Sequence, residues 1–210
     1  MDGSLTMNEK LKALKIVPVV AMSDSTKAEG LGQALVAGGL PIAEVTLRTP
    51  SSLESLKIIA KNSDLITGAG SLKTAADVQA IAEAGAKFAV SAGFSPAIAA
   101  ETKKLGIPYF PGVATPTEII AALDAGLTSL KFFPAETLGG VAALKAMSAP
   151  FPGVNFMPTG GISLSNIAGY LELPAVLAVG GSWMVPQKLI DAGDFAEIER
   201  LTKEAVEAVK

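Results

Sequence analysis

Four times in this 210-residue chain, a run of small apolar residues ends at a glycine and gives way to a short apolar segment. Residues 34–39 (Ala-Leu-Val-Ala-Gly-Gly) lead into 42–47, and 81–85 (Ile-Ala-Glu-Ala-Gly) into 88–91. Residues 102–106 (Thr-Lys-Lys-Leu-Gly) lead into 109–110, and 123–126 (Leu-Asp-Ala-Gly) into 129–133. A glycine just past a helix takes the left-handed conformation that ends it at little cost. Each unit therefore reads as helix, stop, strand, and the steps from Gly85 to Gly106 to Gly126 are each about the length of one strand–helix unit.

Extending the pattern gives strands over 16–21, 42–47, 65–68, 88–91, 109–110, 129–133, 155–158 and 176–179. Helical stretches follow them, as at 51–60, 74–84, 117–125 and 194–209. Strict alternation of strand and helix predicts an α/β fold, and eight strands favour a closed (β/α)8 TIM barrel over a doubly wound open sheet. No linker or low-complexity tract interrupts it, so residues 1–210 read as a single domain. Half the residues are hydrophobic and 18% are charged, and aliphatics far outnumber aromatics, as buried parallel strands require.

Composition also limits the chemistry. A formal net charge of −3 with no basic face argues against nucleic acid as a partner. The chain has no cysteine and no histidine, which removes thiolate chemistry and the commonest general base and metal ligand. Residues 1–7 lack the basic and apolar segments of a leader, and the apolar runs are too short to span a membrane, so a cytoplasmic location is expected.

Active sites of barrels gather at the C-terminal ends of strands, so polar residues there are the candidates. Lys131 stands in Leu130-Lys-Phe-Phe-Pro134, between apolar neighbours and just before a proline. Burial there disfavours a charged amine, and a neutral amine is the nucleophile that forms an imine with a ketone. A structural lysine paired with an internal carboxylate fits the same position. In the strand at 42–47, period-two geometry puts Glu44, Thr46 and Arg48 on one face. Arg48 is one of only two arginines and suits a substrate carboxylate, with Glu44 as general base; an internal Glu44–Arg48 ion pair is the alternative. Glycine pairs after the last two strands, Gly160-Gly161 and Gly180-Gly181, match a phosphate-binding arrangement of backbone N–H groups. Ser163 and Ser165 also fit as caps of the next helix.

At Glu44-Val-Thr-Leu-Arg-Thr49, Gly68-Ala-Gly70, Pro111-Gly-Val113, Leu130-Lys-Phe-Phe-Pro-Ala-Glu136, Pro158-Thr-Gly-Gly-Ile162 and Gly180-Gly-Ser-Trp183, the chain resembles the bacterial 2-keto-3-deoxy-6-phosphogluconate (KDPG) and 4-hydroxy-2-oxoglutarate aldolases. The likeness runs from about Ile16 to the final helix with the motifs in order. It implies a class I aldolase of the TIM-barrel type needing no metal and no cofactor, acting on a small keto-acid phosphate, and assembled as a homotrimer. It implies that Lys131 forms the Schiff base and that Glu44 moves protons. Arg48 would hold the pyruvyl carboxylate with Ser71 and Thr159, and Phe133 would pack beside the imine. Gly160, Gly161, Gly181 and Ser182 would hold the phosphate. Two positions depart from the family pattern: Ser71 replaces the usual threonine, and Ser91-Ala92-Gly93 replaces Ser-Pro-Gly. The first keeps the hydroxyl; the second bears on how rigidly that loop lines the pocket. A phosphate-binding isomerase or synthase would use the glycine turns without needing Lys131.

Overall fold

The structure, a computed structural model, describes residues 5–210. Residues 1–4, part of the segment read above as lacking a leader, lie outside the described residues. The strands are β1 (Ile16–Val20), β2 (Ile42–Thr46), β3 (Ile66–Leu72), β4 (Ala89–Ser91), β5 (Tyr109–Phe110), β6 (Gly112–Val113), β7 (Ser129–Phe132), β8 (Asn155–Pro158) and β9 (Val179–Gly181). The α-helices are α1 (Met7–Leu14), α2 (Ala28–Ala37), α3 (Ser52–Ile59), α4 (Ala75–Glu83), α5 (Pro96–Leu105), α6 (Pro116–Asp124), α7 (Gly140–Ser148), α8 (Ile167–Leu171), α9 (Gln187–Ala192) and α10 (Phe195–Glu207). No helix among the described residues is long and apolar enough to cross a membrane.

Local chemistry explains the helix boundaries. The Thr74 hydroxyl accepts the Asp77 N–H, while the Asp77 carboxylate takes the Thr74 N–H in return, starting α4. Ser95 and Thr115 cap α5 and α6, each followed by proline in the first turn, where a missing N–H costs nothing. The stop glycines behave as expected, with φ of 90° at Gly85, 68° at Gly106 and 80° at Gly126.

Every strand pairing is parallel, as the helical connections require. The expected single closed ladder of eight strands is corrected, however. The strands form a curled α/β sheet in two ladders, β5-β4-β3-β2-β1-β9 and β6-β7-β8. Pro111 explains one break: without an N–H it cannot donate, and the chain changes partner across it. Tyr109 pairs with Ala89 before it, and Gly112 with Lys131 after it. Residues 112–113, beyond the strand expected at 109–110, are thus a short strand of their own, β6. At the other break, only the isolated bridges Phe156↔Val176 and Thr159↔Gly180 join β8 to the last strand. The last strand accordingly runs over 179–181 rather than 176–179.

The core lies between sheet and helices. Phe88, Phe110, Phe132, Phe156 and Tyr170 are all fully buried, Phe88 packing against Gly68 on the sheet face that carries Glu44. Phe88 and Phe110 meet edge to face, with ring centroids 6.2 Å apart. Removing each such ring to alanine costs about 3–5 kcal/mol, so this packing fixes the strand ends rigidly.

Candidate active site

Lys131 is the third residue of β7, and its amine sits 3.2 Å from Oε1 of Glu44 on β2. The two side chains are 4% and 0% exposed. Glu44 therefore pairs with Lys131 rather than with Arg48. The pairing is incomplete, because the buried Oε2 of Glu44 has no hydrogen-bond partner among the described residues. A purely structural buried ion pair offsets its desolvation only when the remaining lone pairs are satisfied. The unsatisfied carboxylate oxygen beside the buried amine departs from that arrangement.

Gly70 makes room for this carboxylate. A Cβ at position 70 would lie 2.0 Å from Oε1 of Glu44, so the carboxylate occupies the space that any side chain there would fill. Next in sequence, Ser71 takes φ 62°, uncommon for a residue with a side chain. That conformation aims its hydroxyl at Arg48, whose Nε donates to it at 2.8 Å. Arg48 is exposed and has no carboxylate partner among the described residues. Its guanidinium is thus a cation held in place with its charge uncompensated. The Phe133 ring centroid stands 5.4 Å from the Lys131 amine, close enough for cation–π attraction to a protonated nitrogen.

A cavity of about 150 Å³ opens beside this cluster, lined by Val19, Arg48, Phe133 and Thr159 together with Gly160–Ile162 and Gly180–Ser182. A second lobe of about 210 Å³ shares Val19, Arg48 and Ser182 and extends to Thr46 and Gln187. Lys131 and Glu44 do not line either lobe; they lie buried alongside. Ser71 meets the site through Arg48. A larger hollow, about 640 Å³, lies between α2 and α3 and contains none of these residues. In the first glycine turn, Gly160 and Gly161 have φ of 103° and 79°, a left-handed region that favours glycine. Gly181 packs under Trp183, where a Cβ would come within 1.9 Å of the indole ring.

The loop at 91–93 is tied down despite lacking a proline. The Ser91 hydroxyl donates to the Gly93 carbonyl at 2.6 Å and lies 2.6 Å from the Tyr109 hydroxyl. Burial pushes the Tyr109 pKa up, so that hydroxyl stays protonated.

Most of the residues singled out from sequence thus converge, and two given no role there, Gly70 and Val19, join them. Gly70 carried a readable signal, a glycine inside an apolar strand, which marks close backbone approach. Val19 carried none beyond its place near the end of β1.

Parallel strands presenting a buried amine, a carboxylate and a guanidinium at their C-terminal ends belong to the fold of the class I aldolases. The family description "KDPG and KHG aldolase" matches residues 7–201, and the chain belongs to that family. It is 43% identical over 196 residues to the Escherichia coli KHG/KDPG aldolase, covering 93% of this chain and 92% of that one. Among solved structures, the KDPG aldolase of Legionella pneumophila, with pyruvate captured as a covalent carbinolamine, is 38% identical at a TM-score of 0.90. That match covers 95% of this chain and 98% of the other. The Zymomonas mobilis KDPG aldolase with 3-phosphoglycerate is 40% identical at a TM-score of 0.88, covering 96% of both chains.

Proposed function

We propose that this chain cleaves 2-keto-3-deoxy-6-phosphogluconate to pyruvate and glyceraldehyde 3-phosphate through a Schiff base on Lys131. The observation that carries the reading is the buried Lys131–Glu44 pair with one carboxylate oxygen free. The Lys131 amine adds to the C2 ketone, and loss of water leaves an iminium that accepts electrons. Glu44 takes the proton of the C4 hydroxyl, directly or through a water, as the C3–C4 bond breaks. Its electrons pass into an enamine, and glyceraldehyde 3-phosphate departs. Return of the proton to C3 and addition of water then release pyruvate and the free amine. Arg48, steadied by Ser71 and joined by Thr159, holds the pyruvyl carboxylate, and Phe133 flanks the imine. Gly160, Gly161, Gly181 and Ser182 offer backbone N–H groups and a hydroxyl to the phosphate.

The Escherichia coli relative's dual name favours a second substrate, 4-hydroxy-2-oxoglutarate, yielding pyruvate and glyoxylate at the same lysine. Pro111 links β5 to β6 and isolated bridges link β8 to the last strand, which supports reading the two ladders as arcs of one barrel-like sheet. A cytoplasmic homotrimer is the matching state in the cell. The test is pyruvate release from each substrate by the purified chain. Faster release from the phosphorylated substrate supports this assignment; release from neither would overturn it.

A further inference from the structure

The segment after β7 and the turn after β8 are joined by contacts that the reaction above does not use. The Ala135 N–H donates to the Thr159 carbonyl at 2.8 Å, and the Glu136 N–H to the Gly160 carbonyl at 3.1 Å. The Glu136 side chain then runs along Gly161, where a Cβ would sit 2.7 Å from its Cβ and Cγ. Its carboxylate accepts a hydrogen bond from the hydroxyl of Tyr170 on α8. Tyr170 is fully buried, and burial together with the adjacent carboxylate pushes its pKa up, so it stays a donor. From the other side, the Asn166 amide donates to the Gly161 carbonyl at 3.1 Å, and its oxygen accepts the Ser163 N–H at 2.9 Å.

Two consecutive carbonyls of the turn, Gly160 and Gly161, are therefore held by partners of the scaffold. In a trans peptide the following N–H points opposite to the carbonyl. Fixing these carbonyls fixes the aim of the Gly161 and Ile162 N–H groups, and both residues line the cavity beside Arg48. We propose that the Tyr170–Glu136 hydrogen bond is a positioning contact: it holds the Glu136 side chain against Gly161, and with it the Glu136 N–H on the Gly160 carbonyl, and so aims these N–H groups at the anionic end of the substrate. The proposal rests on the reading of this cavity as the phosphate site. Tyr170 and Glu136 touch no reacting atom; they act through the turn. A buried tyrosine hydroxyl needs an acceptor in any fold, so the test must separate positioning from simple packing.

The probe is glycerol 3-phosphate, titrated against the fluorescence of Trp183, the one tryptophan, which packs over Gly181. Tyr170→Phe and Glu136→Ala should each weaken this binding about tenfold, the worth of one well-placed hydrogen bond. Each should raise KM for the phosphorylated substrate with little change in kcat. Glu136→Gln keeps an acceptor for the tyrosine and should restore affinity to near the wild-type value. Trapping of pyruvate by borohydride, which needs no phosphate, should fall far less than glycerol 3-phosphate affinity. Unchanged affinity in the variants would overturn the proposal, as would equal loss of anion binding and pyruvate trapping. If the wild-type chain binds glycerol 3-phosphate but traps no pyruvate, the aldolase reading fails and the positioning claim is still decided by the affinities. Should Tyr170→Phe not fold, the Glu136 pair of variants gives the same decision.

Discussion

The final helix and the strand ends around Lys131 hold the same ingredients, cations beside carboxylates, in opposite arrangements. On α10, Arg200 donates to Glu197 at 2.7 Å and to Glu204 at 3.2 Å, partners three and four residues away. These groups are 38–59% exposed, and every charge has a neighbour of opposite sign supplied by the helix itself. The chain's other arginine, Arg48, has among the described residues only the Ser71 hydroxyl. Lys131 and Glu44 lie 87 positions apart and meet only because β2 and β7 bring them together, with one oxygen left unpaired. Fully paired and solvated, charge contributes little beyond local helix stability. Under-paired at the strand ends, it is the arrangement that the proposed reaction draws on.

Substitutions can break this contrast, and the largest effect belongs to Lys131. Lys131→Met keeps the side chain's bulk but removes the amine, and turnover should fall by about 10⁴-fold or more, as for loss of a covalent nucleophile. Steady-state pyruvate release checks this. Glu44→Gln should lower kcat by about 10²- to 10³-fold, the range for losing a general acid–base group, while adduct formation with pyruvate persists. Single-turnover trapping separates the two steps. Arg48→Lys keeps the charge but loses the planar fork, so kcat/KM should drop about 10- to 100-fold, mainly through KM for the keto acid. Arg200→Ala, the control from the other region, should leave turnover unchanged and barely move Tm in physiological salt, because its partners are solvent-exposed. A large activity loss there would remove the distinction between the two regions.

Much of this is legible in the sequence alone. The glycine stops at 85, 106 and 126 announced the strand–helix unit because a left-handed C′ residue has few other readings. Lys131 stood out because apolar neighbours made its charge costly. The partner of Glu44 was not legible: period-two geometry puts Glu44 and Arg48 on one face, but which strand from elsewhere in the chain approaches that face is a tertiary fact. The pause in the sheet at Pro111 was masked for a related reason. A proline between two short apolar pairs reads as a turn, and only the exchange of partners from Ala89 to Lys131 reveals a strand on each side. Likewise Glu136 and Tyr170, 34 residues apart, carry no local pattern that links them.

Reduction with borohydride in the presence of pyruvate, followed by peptide mapping, tests the central claim most directly. The account predicts a single reduced pyruvyl group on Lys131, retained in Glu44→Gln and absent from Lys131→Met. No adduct, or an adduct confined to a different lysine, would contradict it.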